Sequence, residues 1–278
     1  MSAPLLSLVI PNHDYGRFLP RLAADLAAQT LGLDAVEILL ADDGSTDDSR
    51  RAAESLAALP CRSFAAYWLD HCGRPGLVRN QGLERASGRF LLCLDPDDRI
   101  APGYLQACLA ALDADPGASL AYTDFILDEP GGPRAVRLPE FDPALLRNQN
   151  ILAPTAVLRR ALWEDTGGYR ADTAYEDWEL WVRAASLGHR GVRVAGPLYT
   201  HVVHGANFSF AARRDDARSK AAIVLRNPGF FPAGVRHWAA GVMDGAPWAH
   251  PFPRGIIPLL ADVETLLAIR DHVENPGP

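Results

Sequence analysis

The sequence predicts an α/β fold with a mostly parallel central sheet flanked by helices. Short apolar runs alternate with stretches of helical periodicity through the first half of the 278-residue chain. These runs are continuous rather than alternating with polar residues, which is typical of strands buried on both faces. Strands that alternate with helices are joined by right-handed crossovers, and such connections give a parallel sheet with helices on both sides.

The apolar runs predict five strands in this half, and the periodic stretches between them predict helices. The predicted strands are residues 5–10, 36–41, 63–69, 90–94 and 120–125. The predicted helices are residues 18–26, 47–59 (with Ser45 or Thr46 as the cap), 76–86 and 102–114, which begins with a proline. The less regular second half predicts a turn or hairpin at 128–137, strands at 156–158 and 198–203, and helices at 175–187 and near 259–267.

Composition excludes several classes of protein. About half of the residues are apolar, which is enough for a real core, and the net charge is −7 without a Lys/Arg block, which disfavours a nucleic-acid partner. No apolar run approaches the roughly 18 residues of a membrane helix, so we expect at most peripheral membrane contact. The four cysteines form no C-x-x-C pair, and because no basic stretch followed by an apolar run stands before the first strand, we expect no signal peptide. We therefore expect free thiols in a reducing, cytoplasmic environment.

Acidic residues follow the second predicted strand, at the end where ligands of parallel sheets bind. Asp42 and Asp43 come directly after the strand at 36–41. Gly44 and Ser45 alone satisfy a strand-to-helix turn with a cap, so a purely structural turn does not need two aspartates. We predict that this pair contacts a ligand, the alternative being the structural turn.

A second acidic group follows the predicted strand at 90–94. Asp95, Asp97 and Asp98 place three carboxylates within four residues, and their mutual repulsion is relieved by a hard divalent cation. Carboxylate and phosphate oxygens suit Mg²⁺ or Mn²⁺. The alternative is a solvated acidic turn before the next helix. Because the preceding strand is strongly apolar, these acids are expected at the mouth of the core, and we predict a metal site.

Three further residues have two interpretations each. Asp177, at the start of a predicted helix, is either stabilised by the helix dipole or a general base. His204 is either a metal or phosphate ligand or a hydrogen-bonded structural residue, whereas His201 is interpreted as structural. Arg79 either binds a diphosphate or forms an ion pair that holds the acidic turn.

Taken together, these segments resemble family 2 glycosyltransferases. The match extends over residues 5–209, about three quarters of the chain, and its motifs occur in the family's order and spacing. The segments are SLVIPNHDYGRFLPRL (7–22), ADDGSTDDS (41–49), GLVRNQGLERASGRFLLCLDPDD (76–98), YEDWELWVRAASLG (175–188) and HGANFS (204–209). Asn12-His13 departs from the Tyr-Asn type of pair that the family often has at this position.

The resemblance implies a GT-A fold and an inverting transfer from a nucleotide-diphosphate sugar, most commonly a UDP-sugar. It implies a nucleotide-binding half at about 1–125, an acceptor half at about 126–209, and a C-terminal helical or irregular extension at 210–278 packed on this domain. The acceptor is a carbohydrate, a lipid-linked group or another hydroxyl compound. The implied nucleotide-binding residues are Pro11, Asp42, Asp43, Arg79 and Asp97; the implied ligands of Mn²⁺ or Mg²⁺ are Asp95, Asp97, Asp98 and His204; and the implied base is Asp177.

Two other functions compete with this interpretation. A metal-dependent nucleotidyltransferase also uses aspartates, but it typically has a Gly-rich phosphate loop with a basic residue after the first strand, where this chain has PNHDYGRF (11–18). A non-catalytic nucleotide-sugar binding or scaffold protein has no need of a base such as Asp177. The site residues therefore favour the glycosyltransferase, since an α/β fold alone would not identify a function.

Overall fold

The computed structural model describes residues 3–153, 155–204, 215–249 and 252–274. These residues group into two compact units that alternate along the chain. The first unit takes in the described residues of Met1–Phe141, Leu152–Tyr169 and His189–His204, and the second takes in those of Asp142–Ile151, Arg170–Gly188 and Gly205–Pro278. The domain boundary predicted between residues 209 and 210 lies outside the described residues and stays a prediction.

Nine strands of the first unit form one mixed sheet within the described residues. They are β1 (Leu6–Asn12), β2 (Val36–Asp42), β3 (Ser63–Trp68), β4 (Phe90–Cys93), β5 (Arg99–Ile100), β6 (Leu120–Glu129), β7 (Gly132–Val136), β8 (Val157–Arg159) and β9 (Gly191–Val202). Their order is β3-β2-β1-β4-β8-β6-β9-β5, with β7 paired to β6. The pairs among β3, β2, β1 and β4 are parallel, as is β6 with β9, whereas β5, β7 and β8 pair antiparallel. The predicted fold class is confirmed.

The core of the sheet lies in its apolar central strands. Every residue of β1, β2 and β4 is buried, which explains why these segments read as continuous apolar runs. Because β1 is parallel to both β2 and β4, the carboxyl ends of these strands meet at one edge. Residues that directly follow each strand are thereby brought together.

Helices pack on this sheet or make up most of the second unit. In chain order they are a 3₁₀ turn (Gly16–Phe18), α1 (Leu19–Ala27), α2 (Ser49–Ala52), α3 (Glu54–Ala57), α4 (Pro75–Leu83), α5 (Tyr104–Ala114), α6 (Pro143–Asn148), α7 (Arg160–Thr166), α8 (Glu176–Ser186), α9 (Asp216–Arg226), α10 (Ala233–Met243) and α11 (Leu260–Glu274). In α1, buried leucines recur at helical spacing and form the face that packs inward. α4 approaches β1 closely because Gly82 has no Cβ to clash with Val9.

The helix predicted at 47–59 is wrong in two details. The chain forms two short helices, α2 and α3, and neither Ser45 nor Thr46 caps them. Asp47 accepts a hydrogen bond from the backbone N–H of Ser49 instead, at 2.9 Å. The Ser45 hydroxyl donates to Asp42, because that buried carboxylate needs donors more than the helix end does.

Strand β9 brings a distant segment to the turn between β4 and β5, which contains Asp95, Asp97 and Asp98 and is called the acidic turn below. It pairs parallel to β6 over most of its length, with register shifts on either side of Asp124. It also pairs antiparallel with β5, so that Tyr199 lies opposite Ile100. Since β5 directly follows the acidic turn, residues 199–204 are carried to that turn.

The second unit has a core built around aromatic side chains. Trp178, Trp181 and Trp238 are almost fully buried, and Glu179 is buried in an ion pair with Arg183 at 2.6 Å. Among the described helices, none has the length and apolarity required to cross a membrane.

Candidate active site

The acidic turn after β4 gathers its carboxylates into a single cluster. One oxygen each of Asp95, Asp97 and Asp98 lies within 4.8 Å of the others. Asp97 and Asp98 are buried, whereas Asp95 is partly exposed. Oxygen ligands at these separations suit a hard divalent cation, and a cation would offset the repulsion among the three charges. The cluster thus has the composition expected of a Mg²⁺ or Mn²⁺ site.

Asp98 is held by strand β9. Its Oδ2 accepts a hydrogen bond from the hydroxyl of Tyr199. Its Oδ1 lies 3.1 Å from Nδ1 of His201 and accepts a hydrogen bond from the backbone N–H of Val202 at 3.0 Å. Although burial opposes protonation, the hydrogen bond to Asp98 raises the pKa of His201 to about 8. Both oxygens of Asp98 therefore already have partners on β9, which ties the acidic turn to that strand.

Asp97 contacts His204, the histidine predicted as a metal ligand. Nε2 of His204 lies 2.8 Å from Oδ2 of Asp97. Burial, followed by the negative charges of Asp98 and Asp95, raises the pKa of Asp97 to about 8. Burial also lowers the pKa of His204, helped by the nearby Arg17, and this favours the neutral imidazole that ligates metals. The structure thus brings together one oxygen and one nitrogen donor of the predicted metal shell.

Arg79 contacts the third carboxylate of the cluster. Its Nη2 lies 2.9 and 3.0 Å from the two oxygens of Asp95. The guanidinium is mostly buried, and it also lies over the ring of Tyr169 at 5.5 Å. The ion pair that the sequence left open as one role of Arg79 is present, and it partly balances the charge of the acidic turn.

The two aspartates at the end of β2 are both buried and have different hydrogen-bond partners. Pro11 and Asn12 end β1 opposite Ala41 and Asp42. The buried Asp42 accepts hydrogen bonds from the side chain of Asn12 at 2.7 Å and from the hydroxyl and backbone N–H of Ser45 at 2.7 and 2.8 Å. These contacts join the ends of β1 and β2 and fix the turn that presents Asp43.

Asp43 accepts hydrogen bonds from the loop after β3. The backbone N–H groups of Cys72 and Gly73 donate to its two carboxylate oxygens at 2.7 and 2.9 Å. Burial alone would raise the pKa of Asp43, but these hydrogen bonds outweigh it and the pKa is lowered. The carboxylate is therefore charged and rigidly held at the ends of three parallel strands, where ligands of such sheets bind.

Two histidines beside Asp43 were missed by sequence reasoning. His13 follows β1 and His71 follows β3, and their rings stack with centroids 4.3 Å apart. The signal was available, because both residues lie within three positions of the ends of predicted strands and His13 belongs to the pair that departs from the family pattern.

Asp177 belongs to the second unit and lies at the N-terminus of α8, as predicted. Its Oδ2 accepts a hydrogen bond from the side chain of Asn150 at 3.0 Å. The next residue, Trp178, is buried and donates its indole N–H to the carbonyl oxygen of Leu146 at 2.8 Å. The indole anchors the first turn of α8, so the backbone that carries Asp177 is fixed within its unit.

Comparison with known families gives one match that covers more than half of the chain. The model of the family described as Glycosyl transferase family 2 matches residues 7–162. This range includes β1 to β4, the aspartates after β2 and the acidic turn after β4.

Curated relatives match over shorter stretches. Validoxylamine A glucosyltransferase of Streptomyces hygroscopicus is 37% identical over 108 residues, which are 39% of this chain and 25% of that protein. Poly(ribitol-phosphate) beta-N-acetylglucosaminyltransferase TarS of Staphylococcus aureus is 26% identical over 166 residues, 59% of this chain and 29% of that protein. The matches thus span less than a third of these relatives.

Solved structures resemble the chain over more of its length. The crystal structure of S. aureus TarS 1-349 in complex with UDP-GlcNAc has a TM-score of 0.64 and 19% identity, and covers 80% of this chain and 67% of that one. The mannosyltransferase PcManGT of Pyrobaculum calidifontis, in complex with GDP-Man and Mn²⁺, has a TM-score of 0.64 and 17% identity, and covers 98% and 81%. At these identities the likeness establishes the GT-A fold.

Proposed function

This chain belongs to glycosyl transferase family 2, and we propose that it moves a sugar from a nucleotide-diphosphate sugar to an acceptor hydroxyl. The observation that carries the proposal is the convergence of the acidic turn and His204 at the edge of the sheet. Three carboxylates and an imidazole there form a donor set, and the raised pKa of Asp97 reflects its burial and the repulsion of Asp98 and Asp95, which a bound cation would relieve. Such a set fits a divalent cation bound to a diphosphate.

For the metal, we propose Asp97 and His204 as ligands. Asp95 completes the D-x-D pair, and its ion pair with Arg79 places a guanidinium where it can also bind the diphosphate. We keep Asp98 as a proposed further ligand, and since both its oxygens accept hydrogen bonds from β9, we propose that it also holds the turn in place. When bound, Mn²⁺ or Mg²⁺ would neutralise the charge that builds on the leaving diphosphate.

The nucleoside is assigned to the ends of β1 and β2. Asp43 is charged and fixed by backbone donors, so it can accept a hydrogen bond from a base or ribose without reorganising. We propose that Asp42 and Pro11 support this surface without contacting the nucleoside directly, since the carboxylate of Asp42 is already hydrogen-bonded to Asn12 and Ser45.

For the acceptor, we propose Asp177 as the general base. A carboxylate on the first turn of a helix is well suited to hold its charge before it takes the proton of the attacking hydroxyl. With Asp177 as the base and the acceptor hydroxyl as the nucleophile, the proposed transfer is a single displacement, in which the diphosphate leaves from the face opposite to attack and the anomeric configuration inverts.

The donor class is supported by the neighbours, whose complexes contain UDP-GlcNAc in TarS and GDP-Man in PcManGT. A UDP-sugar is the donor that we propose, and a carbohydrate, a lipid-linked group or another hydroxyl compound is the acceptor.

A thermal-shift panel tests the proposal. Nucleoside diphosphates and nucleotide sugars are each added with Mn²⁺ and with a chelator. A ligand at 100 times its Kd adds about 2.7 kcal/mol to the free energy of unfolding, which is a readily measured shift. We expect a shift that requires Mn²⁺ and one nucleotide class. No shift with any nucleotide, with or without Mn²⁺, would contradict the proposed donor site.

A further inference from the structure

A second cluster of ligand-type side chains surrounds Asp43, apart from the acidic turn. Nδ1 of His13 and Nδ1 of His71 lie 2.8 and 3.0 Å from the same carbonyl oxygen of Asp43. Nδ1 of His71 is also 3.0 Å from Oδ2 of the Asp43 side chain. One atom from each of the three residues lies within 4.8 Å of the others. The two imidazoles therefore direct the same nitrogen to one small region of space.

A cysteine lies beside this cluster. The backbone N–H of Cys72 donates to Oδ1 of Asp43 at 2.7 Å. Its Sγ lies 3.9 Å from the carbonyl oxygen of Arg74, and the residue is a free, exposed cysteine. Cys72 thus offers a fourth donor next to the two imidazoles and the carboxylate.

The loop that carries His13 is held in place around this cluster. Asp14 has a positive φ of 53°, which is uncommon outside glycine. Its Oδ1 accepts a hydrogen bond from the backbone N–H of Thr46 at 2.7 Å, which stabilises the turn. Its Oδ2 lies 3.8 Å from Nε2 of His13. A carboxylate beside the far nitrogen of a histidine is the usual support of a metal-ligating imidazole.

We propose that His13, Asp43, His71 and Cys72 form a site for a borderline-soft divalent cation of the Zn²⁺ type. Imidazole nitrogen, thiolate sulfur and carboxylate oxygen are the ligands of four-coordinate Zn²⁺, whereas the acidic turn offers mainly the oxygen ligands of Mn²⁺ or Mg²⁺. On binding, the Cys72 thiol and the two Nδ1 atoms would give up any proton they hold to solvent, and the cation would take the place of those protons.

The effect of a bound Zn²⁺ on donor binding rests on the function proposed above. Asp43 is the residue to which we assign the nucleoside, so a cation bound to its carboxylate and the donor nucleotide would exclude each other. Zn²⁺ would thus inhibit by blocking the nucleoside surface rather than by replacing Mn²⁺ at the acidic turn. Inhibition is then relieved by excess nucleotide and not by excess Mn²⁺.

Cobalt spectroscopy of the purified full chain tests the site directly, without a donor or acceptor. Co²⁺ in a four-coordinate site with a thiolate has intense visible bands and a thiolate charge-transfer band, both of which an octahedral oxygen site lacks. We expect both in the wild type, displaced by stoichiometric Zn²⁺. His71→Ala should weaken Zn²⁺ binding at least about 10-fold, and Cys72→Ser should lose the charge-transfer band. The matched control is Asp97→Asn, which removes a carboxylate of the other cluster and should keep both bands.

The inference is overturned if Co²⁺ gives only an octahedral spectrum, or if the His71→Ala and Cys72→Ser variants bind Zn²⁺ as the wild type does. Circular dichroism of each variant verifies that it is folded. Competition with UDP in the presence of Mn²⁺ then separates the two proposals. Zn²⁺ binding in a protein that does not bind UDP upholds the zinc site and contradicts the proposed function, whereas UDP binding without Zn²⁺ binding does the reverse.

Discussion

Nε2 of His204 lies 2.8 Å from Oδ2 of Asp97, although 107 positions separate the two residues in the chain. The contact joins the end of β9 to the turn after β4 and gives the acidic cluster its nitrogen donor. If both residues ligate the metal, removing the imidazole should weaken the metal site without unfolding the protein, since His204 is only partly buried.

His204→Ala is therefore expected to weaken Mn²⁺ binding by about 10- to 100-fold, the range typical when support of a metal site is lost. Isothermal titration calorimetry with Mn²⁺ measures the change. His237→Ala, at an exposed histidine of the second unit, serves as the control and should leave the affinity unchanged. Equal Mn²⁺ affinity in the wild type and both variants would remove His204 from the metal shell.

Tyr199→Phe tests the anchoring of Asp98. The substitution removes the hydroxyl that bonds a buried carboxylate, and it should lower the free energy of unfolding by about 1–3 kcal/mol. Because the acidic turn is then less well fixed, we also expect weaker Mn²⁺ binding. Tyr122→Phe is the matched control: its hydroxyl bonds the carbonyl oxygen of Pro139, so stability should fall while Mn²⁺ affinity stays. Unchanged metal affinity in Tyr199→Phe would show that this anchor does not shape the site.

Asp124→Asn tests how β9 is positioned, through the pH dependence of stability. Burial would raise the pKa of Asp124, but hydrogen bonds from the N–H groups of Leu138 and Gly196 and the ion pair with Arg193 lower it. A lowered pKa means that the carboxylate stabilises the fold above its unfolded-state pKa and that this contribution disappears as the pH falls through the folded-state pKa. The variant should be less stable at pH 7 and should lose less stability on acidification. Urea unfolding from pH 3 to 7 measures both, and parallel curves for the two proteins would contradict the assignment.

Asp177→Asn tests the proposed base. Transfer should slow by about 10²- to 10⁴-fold, the usual contribution of general-base catalysis, while Mn²⁺-dependent UDP binding is retained. Asp244→Asn, at an exposed aspartate of the same unit, should transfer at the wild-type rate. Release of UDP from a donor sugar measures transfer, and the anomeric configuration of the product, followed by NMR, tests inversion. A parental rate in Asp177→Asn would exclude this residue as the base.

The first half of the fold was predictable because each buried strand is a short, uninterrupted apolar run. β9 was placed only at 198–203, although it begins at Gly191. Its residues are mostly half-buried and mixed in polarity, so neither a continuous nor an alternating pattern marks it. The helices α9 and α10 were missed as well. The buried residues of α9 stand among many polar ones, whereas α10 contains two glycines and follows a proline, which obscures its helical pattern.

The types of residue in the candidate site were predictable from the sequence, but their hydrogen-bond partners were not. Acids near the ends of β2 and β4 were expected at one edge of the sheet, since parallel strands bring their carboxyl ends together. The hydrogen bond from Tyr199 to Asp98 depends on the long-range pairing of β9. The hydrogen bonds from Cys72 and Gly73 to Asp43 depend on the conformation of the loop after β3. Neither follows from local sequence patterns.

The affinity of UDP for the wild type and for Asp97→Asn, with Mn²⁺ and with a chelator, tests the central claim most directly. Isothermal titration calorimetry should show that Mn²⁺ tightens UDP binding to the wild type by at least about 10-fold, which corresponds to about 1.4 kcal/mol. The variant should bind UDP equally weakly under both conditions. An affinity that is the same with and without Mn²⁺ in the wild type would contradict a metal-bound diphosphate at the acidic turn.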